Sequence, residues 1–264
     1  MMFGFLLLLL CAPASVSTLR VALLLHGESF REHSHQNVRE VGEAGIDGQR
    51  LASLSHLVFA AQTLTFDLGA DAVDIHVRTK RSGLEEHLRA WYGPYVRTFE
   101  TYADTGGSVE GVMQVTEGYD AVLAIRLDVI LKKDFAGALA EADRSRILFS
   151  FECGPENMGG VEVPRVADML FWLPSAYFDF VRKSPREFIN NHHAYQYVEH
   201  GVGLDAMRFM APHEIVDSDP EKDRNRFYRL ASRPERSDYG PYRWRRGHEP
   251  NEFGQTLIDS ILHD

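Results

Sequence analysis

Cysteine is almost missing from this chain of 264 residues: only Cys11 and Cys153 occur. If the first leaves with an N-terminal leader, no intrachain disulfide remains, and a disulfide-built scaffold is excluded. Positive charge is short as well, with 28 Lys and Arg against 38 Asp and Glu and a net charge of −10. Non-specific nucleic-acid binding needs a basic surface, so that class is set aside. No apolar run reaches the roughly 20 residues of a spanning helix. Asn-x-Ser/Thr acceptors, internal repeats and low-complexity tracts are missing too. So are Gly-x-Gly-x-x-Gly and the Gly-rich loop ending in Gly-Lys-Ser/Thr, which removes the main support for dinucleotide and P-loop binding. No His-Glu-x-x-His pair is present, and Gly106-Gly107-Ser108-Val109-Glu110 lacks the closing Gly of a nucleophile elbow.

What is present begins with a leader-like segment. Phe3 to Leu10 is apolar and is followed by Ala12-Pro13-Ala14, the pattern of a secretory signal, although no Lys or Arg precedes it. The expectation is a signal peptide over residues 1–14, with a short uncleaved anchor as the alternative, and a single α/β domain over 15–264. The implied location is the secretory pathway, lumenal or secreted.

Strand-like and helix-like stretches then alternate. Leu19–Leu25 reads as a buried first strand and residues 32–48 as a loop. Leu51, Leu54, Val58, Ala61 and Leu64 recur at helical spacing between Gln49 and Phe66. Ala72–Val77 and Tyr95–Tyr102 read as strands around a helix at Leu84–Trp91, and Ser108–Glu117 as a further helix. Arg146–Phe151 and Met169–Leu173 follow as strands, with Ser175 expected to cap a helix carrying Tyr177, Phe178 and Val181. Residues 186–210 read as helical in part, and about 220–250 as an irregular tail rich in Arg and Tyr. This order predicts a mostly parallel central sheet flanked by helices.

The most informative stretch is Tyr119–Leu131, read as one strand. Alternation gives one face of Leu123, Ile125, Leu127, Val129 and Leu131, and another of Val122, Ala124, Arg126, Asp128 and Ile130. A cation and an anion thus close an otherwise buried strand, where α/β sheets place ligand chemistry. The pair either faces a ligand or closes a loop; the sequence leaves both open.

A second motif is Gly27-Glu28-Ser29-Phe30 after the first strand. It resembles the Gly-Asp-Ser block of secreted GDSL esterases, with Ser29 as the nucleophile. That family also expects Asp-x-x-His near the C-terminus; Asp259 and His263 are one residue too far apart. The esterase stands as an alternative.

Four blocks together resemble a glycosyltransferase-like family with a nucleotide-diphospho-sugar transferase (GT-A) fold. They are Arg20 to Arg31; Tyr119-Asp120 leading to Arg126-Leu127-Asp128; Asp168-Met169-Leu170-Phe171-Trp172-Leu173-Pro174; and His192-His193 through Glu199. The second stands where related enzymes carry Asp-x-Asp. The resemblance implies a nucleotide-sugar donor and a glycan, protein or lipid acceptor. It puts His26, Gly27 and Arg31 at the nucleotide, Arg126 at a phosphate, and Asp128 on Mn²⁺ or Mg²⁺ with His193 as a further ligand. Asp168 and Glu199 become the catalytic carboxylates; from its place before a strand alone, Asp168 is either an acceptor-activating base or a turn or cap residue. Arg in place of the first Asp removes one metal ligand and adds a positive charge, so metal-independent transfer, or a binding protein without transfer, belongs to the same reading. Arg243-Trp244-Arg245-Arg246 is either a diphosphate contact or a solvated tail.

The leader generates the first prediction. N-terminal sequencing of the exported protein is expected to begin at or near Ser15, and Met1 retained on a cytosolic protein would contradict the assignment.

Overall fold

The computed structural model describes residues 18–30, 43–103, 114–158, 161–167, 169–188, 193–211 and 227–230. Within these, β1 (Arg20–Gly27) is apolar at nearly every position and buried from Val21 to His26. Such a run suits a strand covered on both faces. Around it stand β2 (Ala72–Lys80), β3 (Val96–Tyr102) and β4 (Ala121–Arg126). β5 (Val129–Leu131) leaves the sheet, and β6 (Ile147–Met158), β7 (Val161–Val166), β8 (Leu170–Pro174) and β9 (Met207–Ala211) complete it. The order is β3-β2-β1-β4-β8-β6-β7, with β9 against β6. β3, β2, β1 and β4 are parallel, β8 runs antiparallel between β4 and β6, and β9 is parallel to β6. The expected mostly parallel α/β sheet is therefore present, with two reversed strands, β8 inside it and β7 against the far part of β6.

Two apolar layers enclose the sheet. Val21, Leu23, Leu25, Leu123, Ile125 and Trp172 face one layer. It is built by α1 (Glu43–Phe59), α2 (Glu85–Tyr92) and α3 (Lys133–Glu141), and a π-helical extension of α1 (Ala60–Asp67) adds Leu64. Ala22, Leu24, Val122, Ala124, Phe171 and Leu173 face the other. That side is covered by α4 (Phe178–Lys183), α5 (Pro185–Phe188) and α6 (Ala194–Val202), through Val181, Phe188 and Val198.

Three expectations are corrected. The stretch 119–131 is not one strand: β4 ends at Arg126, residues 127 and 128 form a turn, and β5 pairs with β10 (Tyr228–Leu230) in a separate ribbon. Leu127, Val129 and Leu131 still join the core of Leu123 and Ile125; no Gly or Pro marks the break. Ser175 caps nothing. It opens a 3₁₀ turn, and its backbone N–H donates to the Asp120 carbonyl. The third concerns α1, which starts earlier than expected and is rotated. Val58, Ala61 and Leu64 are buried as expected, but in the earlier turns Leu51 and Leu54 are only half-buried, whereas Gln49, Ser53 and His56 are fully buried.

That rotation has a physical reason. A segment that leaves the sheet loses its ladder partners, and buried peptide groups must find others. Polar side chains of α1 supply them. Gln49 donates to the Leu127 carbonyl at 2.8 Å, His56 Nε2 lies 2.7 Å from the Val129 carbonyl, and the Leu131 N–H donates to Ser55 at 3.1 Å. A carbonyl only accepts, so Nε2 carries the proton and Nδ1 accepts from the Tyr92 hydroxyl at 2.8 Å. Burial pushes His56 down to about 4, against the opposing pull of the Val129 bond and the Asp128 charge.

A pH dependence follows. The folded-state value lies below the ordinary 6.5, so the unfolded chain takes up this proton first as pH falls. The His56 share of stability is whole above about pH 6.5 and is lost between there and pH 4, by at most about 3 kcal/mol. His76 is also held low by burial, so the readout is a difference between proteins. Urea unfolding of His56→Asn should show lower stability at pH 7.5 and a shallower decline toward pH 4 than wild type. Parallel declines would contradict the assignment.

Candidate functional site

The sheet order creates a switch point. From β1 the chain passes to β2 and β3 on one side, and β4 returns on the other. Loops leaving β1 and β4 therefore diverge at the C-terminal ends of adjacent parallel strands, where open α/β sheets bind ligands. At this edge Gly27 takes φ +101°, a conformation that favours glycine, and a β-carbon there would stand 3.8 Å from Arg126 Cγ. Phe30 follows at φ +54°, uncommon for a bulky side chain. Gln49 holds it: its carbonyl accepts from the Phe30 N–H at 3.0 Å while its amide donates to Leu127. One buried side chain thus ties both diverging loops together, and the Leu127 N–H adds a bond to the His26 carbonyl at 2.8 Å.

Strand register sets a polar row on the same edge. His26 is level with Arg126 on β4 and with Arg78 on β2, and Arg78 is level with Glu100 on β3. Side chains at matched positions of parallel strands share a face. The row Glu100–Arg78–His26–Arg126 thus continues the face that carries Leu24 and Ala124 farther back.

Each described cation here is matched with a carboxylate. Arg126 binds Asp128 through two parallel bonds, Nε to Oδ1 at 3.0 Å and Nη2 to Oδ2 at 2.6 Å. The Asp128 side chain is 1% exposed and that of Arg126 14%. Arg78 donates to Glu100 at 2.6 Å and to Gln114 at 2.7 Å. Lys80 meets Glu28 at 3.1 Å. Bidentate guanidinium–carboxylate pairs are among the stronger and more directional contacts in proteins.

The structure brings His26, Gly27, Arg126 and Asp128 to one edge. Arg31, Asp168, His192 and the 243–246 run lie outside the described residues, as does most of the helix expected at 108–117. Asp168 directly precedes Met169, whose carbonyl accepts from the Arg126 N–H at 2.9 Å. β8 thus begins beside the end of β4. His193 directly precedes α6, its carbonyl accepting from the Gln196 N–H, and Glu199 is exposed on that helix. Tyr119 and Asp120 work at the opposite edge. The Tyr119 hydroxyl donates to Asp74 at 2.7 Å and meets His76 Nε2 at 3.0 Å, and the Asp120 carboxylate accepts from the Arg20 N–H at 2.7 Å. They anchor strand beginnings.

The expected metal centre does not fit the donor set. Both Asp128 oxygens already accept from one guanidinium. Among the described residues no group of three His, Cys, Asp or Glu is placed to hold an ion. Among the described residues the esterase geometry is not assembled either. Ser29 is buried, and its hydroxyl bonds the Thr79 hydroxyl at 3.0 Å. A hydroxyl is no general base, and an unactivated Ser is a poor nucleophile.

Sequence reasoning missed Arg78, Glu100 and Gln49. The first two carry a signal in hindsight: an ionisable residue near the end of each neighbouring strand, on the face opposite Val77 and Phe99. Gln49 has none, because a lone amide in a helix looks like a solvated position.

No family model and no curated protein matches the chain. Among described helices none is long and apolar enough to cross a membrane. Solved structures with a similar chain path include a glucose-1-phosphate thymidylyltransferase from Bacillus anthracis. It is 10% identical with a TM-score of 0.48, over 74% of this chain and 87% of that one. The bifunctional IspDF of Campylobacter jejuni is 11% identical with a TM-score of 0.45, over 75% of this chain and 50% of that one. A 4-diphosphocytidyl-2C-methyl-D-erythritol synthase from Anaerococcus prevotii is 9% identical with a TM-score of 0.45, over 75% and 90%. At such identities a likeness concerns the chain path, and the chemistry rests on the residues of the edge itself.

Proposed function

We propose that this chain is a GT-A-like glycosyltransferase of the secretory pathway, taking a nucleotide-sugar donor at the β1–β4 edge. The observation that carries the reading is the coincidence of the switch point with Arg126, His26 and the Gly27 turn. The missing β-carbon lets a bulky polyanion approach the backbone, and a guanidinium fork matches phosphate geometry. In the transfer step the bond between the sugar carbon and the diphosphate oxygen breaks. A bond to an acceptor hydroxyl forms, and the acceptor proton passes to a base. Negative charge builds on the departing diphosphate, which is where fixed cations lower the barrier. Asp168, next to Met169 in sequence, is the proposed base, and Glu199 on α6 the carboxylate on the acceptor side.

Two outcomes follow. A panel of nucleotide sugars should contain at least one that raises the unfolding midpoint. A ligand at a hundred times its Kd stabilises by about 2.7 kcal/mol when it binds only the folded form. No stabilisation by any member would contradict the reading. Binding without turnover against glycan, peptide or lipid acceptors would favour a non-catalytic carrier of the same fold. Separately, Ser29→Ala should cost on the order of 1 kcal/mol for its buried hydrogen bond and leave donor binding intact. Covalent labelling of Ser29 by an organophosphonate would instead favour the esterase.

A further inference from the structure

We infer that Arg126, and not a divalent cation, supplies the positive charge that the donor diphosphate meets. This rests on the proposed donor site and specifies how that site handles charge. Asp128 is the sole carboxylate of the Arg126-Leu127-Asp128 block. Its two oxygens accept from Arg126 at 3.0 and 2.6 Å, and its side chain is 1% exposed. An ion ligated there would have to enter a nearly closed position and sit beside the guanidinium, cation against cation. The other described carboxylates of the edge are likewise engaged, Glu100 by Arg78 at 2.6 Å and Glu28 by Lys80 at 3.1 Å. Asp128 is thus the counter-ion that orients Arg126 rather than a metal ligand. The donors of a guanidinium fan out over more than one edge of its plane. A carboxylate behind and phosphate oxygens in front are therefore compatible with one fork, and Gly27, at φ +101°, turns the chain beside the Arg126 stem.

The test is titration calorimetry of the full chain with uridine, guanosine, cytidine, adenosine and thymidine diphosphates. Each is run in EDTA and in excess Mn²⁺ or Mg²⁺. At least one should bind with the same affinity in both conditions. Arg126→Lys keeps the charge, loses the fork, and should weaken that binding by roughly tenfold or more, the scale of a charged hydrogen bond. Arg126→Ala should weaken it further. If the alanine variant fails to fold, the EDTA comparison and the lysine variant decide the matter. Binding seen only with metal, or unaltered in Arg126→Lys, overturns the inference and leaves the donor site standing. Binding of no nucleoside diphosphate in either condition overturns the donor site itself.

Discussion

The candidate site depends on the three polar side chains that α1 turns toward the sheet. When the chain leaves β4 it gives up its ladder, and Leu127, Val129 and Leu131 bring unsatisfied peptide groups into an apolar layer. Gln49, Ser55 and His56 meet those groups. An unpaired buried peptide group costs roughly 1–3 kcal/mol, so three of them would outweigh much of a domain's net stability. The turn that presents Arg126 and Asp128 is thus a consequence of helix α1. Gln49 extends the same support to Phe30, so one helix fixes the residues that follow β1 and those that follow β4.

Electrostatics and packing act together at this edge. A buried carboxylate is expensive unless it is paired and hydrogen-bonded. Asp128 meets both conditions through one guanidinium, and the pair stays at the strand end because Arg126 is the last residue of β4. Farther back, the same strand face carries only Ala124 and Val122. On β1 and β4 the chain thus keeps an apolar interior and places its ionic groups at the strand ends. The opposite end of the parallel strands has its own polar network, Asp74–Tyr119–His76, which locks the strand beginnings in place.

Much of the architecture is legible in the sequence because long apolar strands leave little ambiguity. β1, β2, β3 and β8 lie within a few residues of their expected positions, and β4 forms the first half of the strand expected at 119–131. The break at 127–128 was hidden, since Leu127 and Val129 keep their apolar alternation while the backbone turns. The buried face of α1 was hidden for a related reason. Helical periodicity assumes that polar residues face water, and here tertiary hydrogen bonding overrides that assumption. β5 and β10 are short and pair across about a hundred residues, a register that no local pattern encodes. For the site, Arg126 and Asp128 stood out as charges in an apolar strand. Arg78 and Glu100 emerge only once three strands are set in register.

The central claim is that ligand binds where the loops after β1 and β4 diverge, and hydrogen–deuterium exchange on nucleotide-sugar binding tests it most directly. Slowed exchange concentrated in peptides covering residues 26–30 and 126–131 is the predicted result. A ligand that binds but protects only peptides remote from those two loops would contradict the account.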